Sequence, residues 1–383
     1  MRQITYTGAL GSCALGGPMS SALAAEWSIT PTYSATADYD SNRQLLSNSK
    51  GSDAGVITAD LLFKHAVEDL NYSLEPRYAL RRYTDESIGN GDDRSLWAAL
   101  NWMRETAALS LTASYWDQST LTTELLETGI VNGNTHRRMG QAGANWTWNQ
   151  TERRSLLAQL SYQDVSYHGG VAQLLPGYRY TSGSLGERYA FSELGSITVS
   201  AYGSQLDSDS KGNNSRSIGL QSGLIYQFTE RVRLDASIGK SSRVLAGESS
   251  TGTDAQISLT RTGELSRGSL SYTRSLVPYG FGFLVEREEY QASYTQPLTP
   301  MLSATLMGSH IKNNETAVLL RLDRLSYNSV ALSVNWRPLE TWSLGTQIET
   351  LRTQTIGNSN QTVQSWRASM SLTWTPHPIS RSW

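Results

Sequence analysis

Cysteine is almost missing from this chain: Cys13 is the only one. A mature protein that begins after it has no disulfide and no thiolate metal ligand. Also missing is any run of about 18 apolar residues, which excludes a transmembrane helix. Phenylalanine is scarce, with five residues against eleven Trp and nineteen Tyr. The aromatic surface is therefore amphipathic, the kind that settles where an apolar layer meets water. Charge of one sign does not dominate: 32 Lys and Arg face 34 Asp and Glu, leaving −2. That argues against a nucleic-acid surface, which needs a basic patch, and against a one-signed interior. No blade-sized internal repeat occurs, as a soluble propeller would require.

What the chain has instead is alternation. In the first clear segment Trp27, Ile29, Pro31, Tyr33, Ala35, Ala37 and Tyr39 share one face, and Ser28, Thr30, Thr32, Ser34, Thr36 and Asp38 the other. The same period of two runs through Leu109–Tyr115, Val232–Ile238 and Val330–Trp336, and it is the signature of a β-strand with one apolar face. Each apolar face is about four residues long, near what a tilted strand needs to cross the hydrocarbon layer. About 18 such units are predicted, with about 16 as the alternative because Tyr178–Phe191 and Gly268–Arg274 are weakly patterned.

The connections alternate too. Short ones fall at 65–68, 104–106, 149–152, 192–195, 229–230, 263–267, 298–300 and 339–341. Long ones fall at 40–54, 85–94, 119–136, 167–175, 207–214, 246–252, 275–283, 313–323 and 353–361. Strict interleaving predicts an up-and-down antiparallel barrel, with short turns and both termini in the periplasm and long loops outside. An array this long must close, because an open sheet edge in lipid leaves backbone groups without partners. Residues 1–24 read as a secretory signal: Arg2, a short apolar stretch Ala9–Leu15, and the small-residue site Ala22-Leu23-Ala24. The barrel is then 25–383, in the outer membrane.

Face assignment yields the site candidates. Trp27, Tyr39, Trp102, Trp148, Trp336, Trp342 and Trp374 lie near strand ends, where lipid headgroups would meet them. Pointing inward are Glu75, Arg77 and Arg81 on one strand, Arg233 and Asp235 on another, Glu289 and Gln291 on a third, and Gln347 and Glu349 on a fourth. Mixed charges and amides suit a hydrated passage for a polar solute, or else a wall of salt bridges that stiffens the barrel. The segment 119–136 carries Leu121, Leu125, Leu126, Ile130 and Val131 and is the expected plug, since these side chains together need cover. The final strand presents Trp366, Ala368, Met370, Leu372 and Trp374. Pro376 and Pro378 in the tail should interrupt its ladder.

Catalytic chemistry finds no support in the pattern. Of the histidines 65, 136, 168, 310 and 377, only His310 is expected within a strand. Its neighbour Ser309 faces the other way, so the two cannot act as a nucleophile–base pair. No two histidines show ligand spacing in sequence. Asp92-Asp93, with Asp85 and Glu86, reads as a solvated loop rather than a Ca²⁺ site. No catalytic residue, metal or cofactor is predicted.

Two stretches carry a resemblance. One is Ser119-Thr120-Leu121-Thr122-Thr123-Glu124-Leu125 through Thr128-Gly129 to Ser161-Tyr162-Gln163-Asp164-Val165-Ser166-Tyr167. The other is Arg274-Ser275-Leu276-Val277-Pro278-Tyr279-Gly280-Phe281-Gly282 to Leu284-Val285-Glu286-Arg287. Together they resemble a family of proteobacterial outer-membrane β-barrel porins whose genes often lie beside exopolysaccharide loci. The resemblance implies barrel fold, outer-membrane location and a role in polysaccharide export. It also implies partners among the outer-membrane lipid, the barrel-assembly machinery and periplasmic polysaccharide-export components, with no nucleic acid. A general or solute-selective diffusion porin is the second expectation, and a plugged barrel anchoring a surface complex the third.

Overall fold

Each alternating segment becomes a strand in the computed structural model, which describes residues 26–47, 50–85, 88–124, 135–170, 172–210, 212–245, 247–314, 324–356 and 361–382. The expected signal segment lies outside the described residues. The first nine strands are β1 (Glu26–Asp40), β2 (Ser52–Val67), β3 (Leu70–Tyr83), β4 (Gly91–Met103), β5 (Ala107–Ser119), β6 (His136–Asn149), β7 (Arg154–His168), β8 (Tyr178–Ser192) and β9 (Gly195–Ser208). The next nine are β10 (Ser215–Thr229), β11 (Val232–Leu245), β12 (Glu248–Thr262), β13 (Arg267–Tyr279), β14 (Phe283–Thr299), β15 (Leu302–Asn314), β16 (Arg324–Leu339), β17 (Trp342–Ile356) and β18 (Gln361–Trp374). Every consecutive pair is antiparallel, and β1 also pairs with β18, from Tyr33 opposite Trp374 to Asp40 opposite Arg367. The sheet is therefore a closed 18-strand barrel, and the 16-strand alternative falls away.

Closure leaves two faces. Directly paired residues share a face, so the register carries the outward set around the wall: Tyr33 with Ala59, Ala35 with Ile57, Leu100 with Leu111, Leu220 with Ala201, Ile238 with Ala255. Ile57, Leu220 and Ile238 are each more than 60% exposed. Such a continuous apolar exterior is tolerable only against acyl chains. Aromatic rings border it. Near the short turns Trp342 stacks on Trp374 at 6.0 Å, Trp374 on Tyr33 at 5.6 Å and Trp146 on Trp148 at 6.2 Å. Near the other rim Tyr39 lies 4.9 Å from Trp366.

Three expectations about connections need correction. The segment read as the long loop 275–283 is mostly strand, because β13 continues to Tyr279 and β14 starts at Phe283. Likewise β11 ends at Leu245 and β12 starts at Glu248, so 246–252 is not a long loop. On β12 the residues concerned, Glu248–Gly252, are polar and lack the alternation of the apolar belt; on β13 they are mostly apolar, Leu276, Val277, Pro278 and Tyr279. The tail also departs from expectation. The prolines do break the ladder after Trp374, but pairing resumes in β19 (Ile379–Ser382), which lies against Glu26–Ile29 of β1.

Candidate functional site

The inner face of the wall is polar because the outer face cannot be. Register gives each of the nine candidates its partners on the neighbouring strands. Arg77 pairs with Asp60 and Ser95, and Arg81 with Val56 and Gly91; Glu75 follows by alternation and pairs with Trp97. Arg233 and Asp235 lie opposite Gln227 and Ile225, Glu289 and Gln291 opposite Ile311 and Ser309, and Gln347 and Glu349 opposite Ser333 and Ala331. Of the aromatic candidates, Trp27, Tyr39, Trp148, Trp336 and Trp374 are exposed and Trp102 and Trp342 half-buried.

Several inward charges pair locally. Arg233 Nη2 is 2.9 Å from Asp235, Arg77 Nε 3.5 Å from Asp60, and Arg81 3.5 Å from Asp93. In these three pairs, among the described residues, carboxylates and guanidiniums lie side by side rather than segregating by sign.

One element leaves the wall. The ladder between β12 and β13 stops at Ala255 opposite Arg274, although β13 runs five residues further. Beyond it the β13–β14 hairpin folds inward. Leu284, 2% exposed, joins Val165, Tyr178, Leu206 and Leu245, with Leu276 and Tyr180 packed around them. Val165, Tyr178, Leu206 and Leu245 lie on the inner face of β7, β8, β9 and β11. This is an apolar core inside the barrel, made by docking a hairpin on the wall. At its tip Gly282 has φ +73 and packs so closely on Ser208 and Pro176 that a Cβ would lie 2.3 Å from the Ser208 hydroxyl.

Ion pairs hold the hairpin where apolar packing ends. Arg243 of β11 is 1% exposed. It donates to Asp254 at 2.9 Å, to Glu286 of the hairpin at 2.9 Å and to the Ser241 hydroxyl at 2.9 Å. Arg274 reaches the other Glu286 oxygen at 2.7 Å, and Tyr202 donates to Asp254. Buried charge is tolerated when it is paired and hydrogen-bonded, as Arg243 and Asp254 are here. Gly252 makes room for it, since a Cβ there would lie 1.8 Å from the Arg243 guanidinium carbon.

The expected plug 119–136 is described only at its ends. Ser119 caps a single turn, α1 (Thr120–Thr123), and its amide donates to Asp93 at 3.0 Å. Glu124, fully buried, accepts from the Tyr167 hydroxyl at 3.0 Å and lies 3.5 Å from Arg137, both on the inner face. Leu121 is buried; Leu125, Leu126, Ile130 and Val131 lie outside the described residues. The start of this segment therefore turns into the barrel.

Sequence reading missed the residues that matter most here. Arg243, Glu286, Arg367 and Asp40 carry the networks, and Trp97 and Trp116 point inward with Glu75 and Ser95 as their paired neighbours. Their positions fit the period-two alternation of β4 and β5, on the faces of Glu75 and Ser95.

No family model and no curated protein matches this chain, so the resemblance to exopolysaccharide-linked barrels gains no support. Solved structures do match. Acinetobacter baumannii OccAB4 is 12% identical with a TM-score of 0.52, over 93% of this chain and 98% of that one. Pseudomonas aeruginosa OpdQ is 11% identical with a TM-score of 0.50, over 92% and 99%. Pseudomonas aeruginosa OccK5 (OpdH) is 12% identical with a TM-score of 0.50, over 92% and 98%. The likeness is one of fold: a closed, antiparallel, 18-strand barrel spanning nearly the whole of each chain.

Proposed function

We propose that the protein is a solute-selective diffusion channel of the bacterial outer membrane. The observation that carries this reading is the inward β13–β14 hairpin: a barrel of 18 strands is wide enough to hold water, and here a docked element narrows it. The structures sharing its fold are non-enzymatic Occ channels, which favours passage without chemistry. In this reading Glu75, Arg77, Arg81, Arg233, Asp235, Glu289, Gln291, Gln347 and Glu349 line the route. Small polar solutes suit it, since adjacent opposite charges and amides can exchange hydrogen bonds with water for hydrogen bonds with the solute.

Both termini are periplasmic in this reading, with the hairpin and the segment 119–136 on the outer side. Polysaccharide export, which the sequence resemblance implied, has no counterpart in the fold comparisons. A narrowed lumen also suits a small solute better than a polymer.

Planar-bilayer recording tests the reading. The folded protein should give discrete, small current steps. Replacing 276–285 by a short Gly-Ser turn should enlarge them severalfold. A barrel silent in both forms would overturn the channel reading and favour an anchoring role. Unchanged solute uptake with loss of surface polysaccharide in a deletion strain would restore the exporter.

A further inference from the structure

Three strands gather side chains that are remote in sequence. Asp117 lies on β5, His136 opens β6 and His168 closes β7. The register sets His136 directly opposite His168, and Asp117 opposite Arg138, the next residue on the same face of β6. That face is the outer one, shared with Tyr115 and Tyr162, and the cluster lies at the rim bearing the long connections. His136 Nδ1 is 3.2 Å and His168 Nε2 3.8 Å from the same Asp117 oxygen, Oδ1. The three donor atoms all lie within 4.8 Å of one another. The second oxygen, Oδ2, accepts from Arg138 Nε at 3.2 Å.

We propose that Asp117, His136 and His168 form a binding site for a divalent transition-metal ion of the zinc class. Two imidazole nitrogens and one carboxylate oxygen are donors that such ions prefer. Bonds of about 2.0–2.1 Å in tetrahedral geometry set ligand atoms about 3.4 Å apart, so small side-chain rotations complete the set. Arg138 does not compete for Oδ1. It holds Oδ2, the outer hydrogen bond that orients a ligating carboxylate.

A fourth position opens onto a cleft of about 540 Å³ that Arg82, Asp92 and Arg94 also line. Arg82 lies 3.4 Å from Asp92, and Arg94 sits over the Tyr78 ring. Three arginines against two aspartates suit an anionic fourth ligand. Asp117 precedes the segment 119–136 and His136 ends it, so a bound ion would clamp the two ends of that segment together. Sequence spacing hides this site, because the two histidines are 32 positions apart and only the β6–β7 pairing joins them.

The test uses tag-free, detergent-folded protein treated with chelator and then titrated with Zn²⁺ by calorimetry. The site predicts one ion per barrel. Binding should weaken about tenfold or more in Asp117→Asn and in His168→Ala, and disappear in His136→Ala/His168→Ala. Zinc should raise the unfolding temperature of the parent and not of the double variant. Heat-modifiable migration on a gel verifies that each variant is folded. If the parent shows no saturable binding, or the folded double variant binds as tightly, the three side chains form hydrogen bonds only and the site is refuted.

Discussion

Arg367 Nη2 lies 2.9 Å from Asp40 Oδ2, across the junction where the last strand of the barrel meets the first. The two are register partners, and the pair is reinforced from both sides. Ser365 donates to the other Asp40 oxygen, and Arg43, 4% exposed, reaches Asp38 at 2.7 Å and lies over the Tyr83 ring. Closure joins the two ends of the sequence, so no turn enforces it. Backbone ladder, this inward-facing network and the Tyr39–Trp366 ring contact on the outer face hold it at the long-connection rim.

Removing the cation should therefore strand buried carboxylates. Arg367→Ala is expected to destabilise the barrel by about 3 kcal/mol. The readout is a lower temperature for the shift from folded to unfolded gel mobility. An Asp40→Asn/Arg367→Gln double variant should recover part of the loss, because no isolated charge remains.

Gly252→Ala should dislodge Arg243, since the added carbon would overlap its guanidinium. With Arg243 displaced, Glu286 loses a partner and the hairpin its tether. The barrel should stay folded while limited proteolysis within 276–285 speeds up and the current steps grow. A larger residue at Gly252 that left both unchanged would mean that apolar packing alone docks the hairpin.

Leu284→Ala probes that packing. Deleting a side chain this buried costs about 2–5 kcal/mol in a well-packed core. Here the loss should be felt locally, as flickering between two conductance levels, with little change in the global unfolding temperature.

The two faces should respond oppositely to one substitution. Ile238→Arg, mid-strand on the outer wall, should cost about 2–4 kcal/mol in lipid. Gln256→Arg, one strand away on the inner face, should cost little and shift the reversal potential towards anions. Equal penalties at both positions would contradict the assignment of faces.

Strands and their sides were legible wherever one face is apolar, as in β1, β5, β11 and β16. They were hardest to read where that contrast fades. β8 is a full strand, yet its outward row includes Arg179, Thr181, Gly183 and Glu187, so the apolar alternation that marks a strand is broken there. The inward hairpin was unreadable for a different reason. Leu276 and Leu284 fit a loop cluster as well as a strand, and only the early end of the β12–β13 ladder shows that they enter the barrel. The Asp117, His136 and His168 cluster, like the Arg243 network, depends on pairing between strands, which a linear pattern does not contain.

The hairpin's departure has a mechanical consequence for the wall it leaves. β12 begins at Glu248, seven positions before its ladder to β13 starts at Ala255, so the cylinder's rim is notched on one side. Amides along the notch should be the first in the barrel to trade their hydrogens with solvent.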